Sequence, residues 1–131
     1  MTINSRRKGK AGELEAVNLL KEMGFDDARR SVQFCGRAGD ADIACPESLP
    51  NVHIEVKRRK DIRVGNAAHT AAIVQSRSEC GDREWCVLWR EDGAKIWKLT
   101  FCPMYPEAIA TVSGLDVMAE CLRWLNSGRS V

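Results

Sequence analysis

Three carboxylates and a lysine stand out from the first half of the chain: Glu13, Asp42, Glu55 and Lys57. Around Glu13 the apolar residues Leu14, Val17, Leu20 and Met23 recur at helical spacing, and Ala16, Val17, Leu20 and Met23 make up an apolar stripe. At about 100° per residue Glu13 falls inside that apolar stripe, while Glu15 points to water. A carboxylate turned toward a core is costly unless it is paired or binds a metal. Asp40 and Asp42 alternate with apolar residues, as do Glu55 and Lys57, so each pair occupies one face of an extended segment. A strand hairpin through Cys45–Asn51 would set Asp42 roughly opposite Glu55. Carboxylates on neighbouring strands repel, and a divalent cation between them removes that penalty. Hard oxygen ligands select Mg²⁺, with Mn²⁺ as a substitute. Lys57, on the face of Glu55, would point to the same place.

The elements that must position these groups read as follows. A helix covers about 6–23 and stops at Gly24. A turn or short strand spans 28–34, a small-residue loop 35–39 and a strand 40–45. The segment 52–57 alternates, with Val52, Ile54 and Val56 on one face and His53, Glu55 and Lys57 on the other. An Ala-rich helix spans about 66–78, and 85–89 is apolar on both faces and therefore central. The turn Glu91-Asp92-Gly93 leads to a returning strand over 95–101; Pro103 and Pro106 break the pattern, and a last amphipathic helix covers about 114–126. The order predicts one domain over 1–131, an α/β (α+β) fold with a mixed β-sheet flanked by helices.

Composition agrees with that reading. The 131 residues are 44% hydrophobic and 29% charged, the balance of an ordinary globular domain. No window is apolar enough to cross a membrane, the basic segment 1–10 has no apolar stretch behind it, and no membrane partner is expected. The six cysteines are scattered without a Cys-x-x-Cys pair, which speaks for free thiols in a reducing cytoplasm. Net charge is only +2, but Lys57, Arg58, Arg59, Lys60 and Arg63 are opposed locally by Asp61 alone. Such a cluster suits phosphate.

Taken together, Arg7-Lys8-Gly9-x-x-x-Glu13, Gly24-Phe25, Gly39-Asp40-Ala41-Asp42-Ile43 and Ile54-Glu55-Val56-Lys57 resemble the PD-(D/E)xK nuclease superfamily. The resemblance covers about residues 6–63 and is nearest to the small archaeal and phage Holliday-junction resolvase-like endonucleases. Ala41 stands where the superfamily's name has proline, and Asp40 is an extra acid that could compete for the metal role. The resemblance implies a restriction-endonuclease-like core and Mg²⁺-dependent hydrolysis of DNA phosphodiesters, leaving 5′-phosphate and 3′-hydroxyl. Asp42, Glu55 and the backbone carbonyl of Val56 would hold the metal, with Glu13 completing the shell and Lys57 orienting the attacking water. Gln75 is a possible accessory contact. Arg6, Arg7, Lys8, Lys10, Arg29, Arg30, Arg37, Arg58, Arg59, Lys60 and Arg63 are the candidate DNA contacts.

A four-way junction needs two symmetric cuts, so the resemblance implies a homodimer, to which part of the apolar surface of the last helix could contribute. No small-molecule cofactor is expected, and the location implied is the cytoplasm of a bacterial or phage-infected cell. Nicked, flapped or linear DNA is the alternative substrate. A catalytically silent DNA-binding module is the alternative of another class, and a zinc domain would need Cys80, Cys86, His53 and His69 to converge. His53 and His69 read as structural histidines, and the four tryptophans as packing residues.

Overall fold

The protein is described by a computed structural model covering residues 3–31, 41–104 and 108–129, with side chains of the first helix from Gly9 onward. Asp40 and Arg37 lie outside the described residues, as do the side chains of Arg6, Arg7 and Lys8. Helix α1 is Ile3–Glu22, followed by the short strands β1 (Arg29–Arg30) and β2 (Ile43–Ala44). Strand β3 (Val52–Arg59) leads through α2 (Ala67–Glu79) to β4 (Glu84–Glu91). Strands β5 (Lys98–Phe101) and β6 (Ala110–Ser113) and helix α3 (Leu115–Asn126) complete the order.

Among the described residues, six strands form one mixed sheet in sequential order β1 to β6. Among these strands only β3 and β4 run parallel, joined by α2 as a crossover, and every other neighbouring pair is antiparallel. This is the α+β architecture expected from the order of elements, and it is consistent with a restriction-endonuclease-like core. Residues that alternate along β3 and β4 divide between two cores. Val52, Ile54, Val56, Cys86 and Leu88 pack with Ala16, Val17 and Leu20 of α1 and Met118, Leu122 and Leu125 of α3. Val87 and Trp89 pack with Ala72 and Ile73 of α2 on the other face. Burial of β4 on both faces explains its apolar run.

Several elements differ from the sequence expectation. Strand β2 is shorter than 40–45, and β5 starts at Lys98 because residues 92–94 turn and 95–97 carry no strand pairing. Strand β6 has no counterpart in the pattern read from the sequence. It is a four-residue edge strand, half-buried over 110–112 and exposed at Ser113, with no strong alternation to reveal it, and pairing to β5 defines it. Glu15, expected to face water, instead accepts the Trp97 indole N–H at 3.0 Å and meets Arg58 at 3.2 Å and Arg90 at 2.8 Å. These partners come from β3, β4 and the loop before β5, which helical periodicity in α1 could not register. The acid thereby ties α1 to the C-terminal ends of β3 and β4. Gly12 makes that approach possible, since a Cβ there would lie 3.2 Å from Cβ of Arg58.

On α3, Met118, Ala119, Leu122 and Leu125 are buried in the core, and Leu115 and Val117 stay exposed. Asn66 caps α2 by accepting the His69 N–H at 3.0 Å, a contact that typically contributes about 1 kcal/mol. Among the described residues no helix is long and apolar enough to cross a membrane.

Candidate metal centre

The hairpin register is the first determinant of the site. Ile43 pairs with Ile54, which sets Asp42 across from Glu55 on the face opposite the larger core. The Asp42 N–H continues the ladder by donating to the Ile54 carbonyl at 3.2 Å. The connection between the strands is pinned from outside: Asp27 accepts the N–H groups of Glu47 and Ser48 at 2.6 and 3.0 Å, as well as the Ser48 hydroxyl. Those donors hold the Asp27 carboxyl down at about 2, the hydroxyl contributing most.

Asp42 accepts the Val56 N–H through Oδ2 at 2.9 Å. Its carboxyl is nevertheless pushed up to about 7, first by burial and then by the charge of Glu55. Glu55 is 1% exposed, and burial raises its carboxyl too, with Glu79 of α2 adding like charge. One of its oxygens, Oε1, lies 2.8 Å from His53 Nε2. The other, Oε2, is buried and has no hydrogen-bond partner among the described residues.

The His53 tautomer follows from its second nitrogen. Arg83 approaches His53 Nδ1 at 3.1 Å, and a guanidinium can only donate. Nδ1 is therefore the acceptor, and Nε2 carries the proton that it donates to Glu55. Ligand atoms of His53, Glu55 and Glu79 all lie within 4.8 Å of one another. Lys57 is half-buried on β3 on the face of Glu55, in register with Trp89. Gln75 is half-buried on α2, one turn before Glu79 and on the same side of the helix.

This donor set fits a hard divalent cation. Glu55 is crowded by Asp42 across the hairpin and by Glu79 from α2, and one of its buried oxygens has no hydrogen-bond partner among the described residues. A bare buried carboxylate oxygen is costly, and a cation accepting several oxygen ligands would relieve both penalties.

The remaining candidates are distributed as follows. Glu13 is half-buried and accepts the Arg30 guanidinium at 2.9 Å. Arg30 pairs across β1–β2 with Ile43, whose side chain belongs to the core beneath α1, so this ion pair sits on the α1 side of the sheet and away from Glu55. Arg58 is shared between Glu15 and Asp92, Arg59 meets Asp61 at 3.4 Å, and Arg63 meets Glu91 at 3.0 Å. Lys10, Arg29 and Lys60 are exposed. Val56 lies on β3 in register with Leu88.

Cys80, Cys86, His53 and His69 form no ligand cluster among the described residues. His69 accepts the Gly65 N–H and meets the Thr100 hydroxyl at 2.9 Å, packed 4.9 Å from the Trp89 ring. Sequence reasoning did not single out Glu79 or Arg83. For Glu79 a signal existed, since it follows Gln75 by four and buried Ser76 by three along α2. Arg83, in the turn before β4, had none.

No family model matches the chain, and no solved structure matches it. Two curated proteins are similar to it. The UPF0102 protein of Caldicellulosiruptor saccharolyticus is 32% identical over 75 residues, 57% of this chain and 62% of that protein. UPF0102 protein STH1475 of Symbiobacterium thermophilum is 33% identical over 73 residues, 56% of this chain and 60% of that protein. The chain thus spans about three fifths of the length of the curated relatives it matches, and over that stretch it is similar to UPF0102 proteins.

Proposed function

We propose that the chain is a metal-dependent endonuclease hydrolysing DNA phosphodiesters, with branched DNA, a four-way junction above all, as its substrate. The observation that carries this reading is Asp42 across the hairpin from a buried Glu55 whose Oε2 has no partner, with Lys57 on the same strand face. The resemblance of residues 6–63 to PD-(D/E)xK nucleases supports it.

Asp42, Glu55 and the Val56 carbonyl would hold Mg²⁺ or Mn²⁺, which supplies Lewis-acid stabilisation of the phosphate and a more acidic bound water. Lys57 contributes a positive charge aimed at the attacked phosphate, where it holds the nucleophilic water or a phosphoryl oxygen. Hydrolysis on this pattern leaves a 5′-phosphate and a 3′-hydroxyl. Gln75, one turn before Glu79 on α2, would add a neutral hydrogen bond. Lys10, Arg29, Lys60 and the basic residues Arg6, Arg7 and Lys8 would contact phosphates along the duplex arms, positioning DNA without reading its sequence. Two symmetric cuts on a junction call for a homodimer.

The test is cleavage of end-labelled four-way junction, nicked duplex, flap and linear duplex with Mg²⁺. Paired junction cuts are expected, with Glu55→Gln inactive and Lys57→Ala slowed by at least about a hundredfold. Cutting of the other forms instead would keep the nuclease and remove the junction preference. Tight DNA binding without cleavage by Mg²⁺ or Mn²⁺ would replace the nuclease with a binding module.

A further inference from the structure

The sequence supplied Glu13 as the acid to complete the cation shell, yet Glu13 is engaged by Arg30 on the α1 side of the sheet. A different acid reaches Glu55. Glu79, in the last turn of α2, brings a carboxyl oxygen within 4.8 Å of ligand atoms of both Glu55 and His53. We propose that Glu79 is the third carboxylate ligand of the divalent cation, delivered from α2, and that His53 is a positioning residue for Glu55 and not a ligand.

Two independent observations support this assignment. The first is the buried Oε2 of Glu55, which stands amid like-charged carboxyls without a hydrogen-bond partner among the described residues and is the oxygen a cation would satisfy. The second is the hydrogen-bond chain Arg83–His53–Glu55. Arg83 occupies Nδ1 of a fully buried imidazole, and Nε2–H is spent on Glu55 Oε1. Neither nitrogen has a lone pair to offer a metal, and a guanidinium charge stands beside the ring. The chain fixes the Glu55 carboxyl by one oxygen and leaves the other for the cation, the arrangement by which outer partners orient ligating groups.

The inference rests on the cation reading above, and Mn²⁺ binding to the full chain separates the two. Binding is followed by electron paramagnetic resonance without DNA. The wild-type protein is expected to bind, Glu79→Gln to bind about tenfold or more weakly, and Glu79→Asp to recover part of the loss. Glu13→Gln is expected to bind like wild type. Melting curves should show both Glu79 variants at least as stable as the cation-free wild type, which distinguishes ligand loss from unfolding. Wild-type protein that binds no Mn²⁺ would overturn the cation reading itself. Wild-type binding with Glu79→Gln unchanged would overturn only the assignment of Glu79. Pulsed measurements should show no directly coordinated imidazole nitrogen, and a strong ¹⁴N coupling lost in His53→Gln would make His53 a ligand and overturn its positioning role.

Discussion

Replacing Asp42 by asparagine should stabilise the cation-free protein near neutral and alkaline pH, because the wild-type site holds a carboxylate that burial and a neighbouring charge both disfavour. The carboxyl is raised from its ordinary 3.8 to about 7, by burial first and Glu55 second, against the opposing Val56 N–H and Lys57. At about 1.4 kcal/mol per pH unit, ionising it in the folded protein costs up to about 4 kcal/mol. Sharing of the proton with Glu55 and partial access to solvent bring the expected gain of Asp42→Asn to about 2–3 kcal/mol.

The sign follows from linkage. A carboxyl raised in the folded state contributes fully below its unfolded value, and that contribution is lost as pH rises through about 7. Wild type and variant should therefore be equally stable near about pH 4, diverge above it, and differ by a constant amount at about pH 8. Urea denaturation in EDTA across that range measures it. Added Mg²⁺ should reverse the order, since ligand at a hundredfold excess over its Kd stabilises wild type by about 2.7 kcal/mol, with little effect on the variant. An asparagine variant no more stable than wild type at about pH 8 in EDTA would refute the argument from burial and repulsion. One that responds to Mg²⁺ as wild type does would remove Asp42 from the cation site.

Other perturbations test the frame around the site. Leu122→Ala empties a buried position between α3 and the sheet and should cost about 2–5 kcal/mol in urea denaturation. Thr100→Val removes the hydroxyl that accepts the Trp89 indole N–H and also meets His69 and Thr111; leaving buried donors unmatched should cost about 2–3 kcal/mol. Glu15→Ala strips the ion partner from Arg90, which is 5% exposed, and a loss of about 2–3 kcal/mol is expected, below the full value for a buried pair because Glu15 is half-exposed. Lys60→Ala should weaken DNA binding evenly across substrates and lower the salt slope by about 1; an unchanged slope would place Lys60 off the DNA path.

Local pattern in the chain determined more than half of this picture. Periodicity in α1, alternation in β3, the doubly apolar β4 and the amphipathic α3 are properties of consecutive residues, so these elements and a mixed sheet followed from them, whereas β6 and the strand order within the sheet did not. The two acids and the lysine were legible for the same reason: strand alternation puts Glu55 and Lys57 on one face, and a short connection limits where Asp42 can fall. What only the tertiary structure decided are relations between residues far apart in the chain. Asp27 pins the turn that sets the hairpin register, and Glu15 becomes a hub for Arg58, Arg90 and Trp97. Glu13 is claimed by Arg30, while Glu79 and the Arg83–His53 pair close around Glu55. Helical periodicity could mark Glu13 and Glu15 as inward or outward. It could not say which charged group from another element would arrive there, because that depends on how α1, α2 and the sheet stack, and stacking is fixed by burial of the two cores.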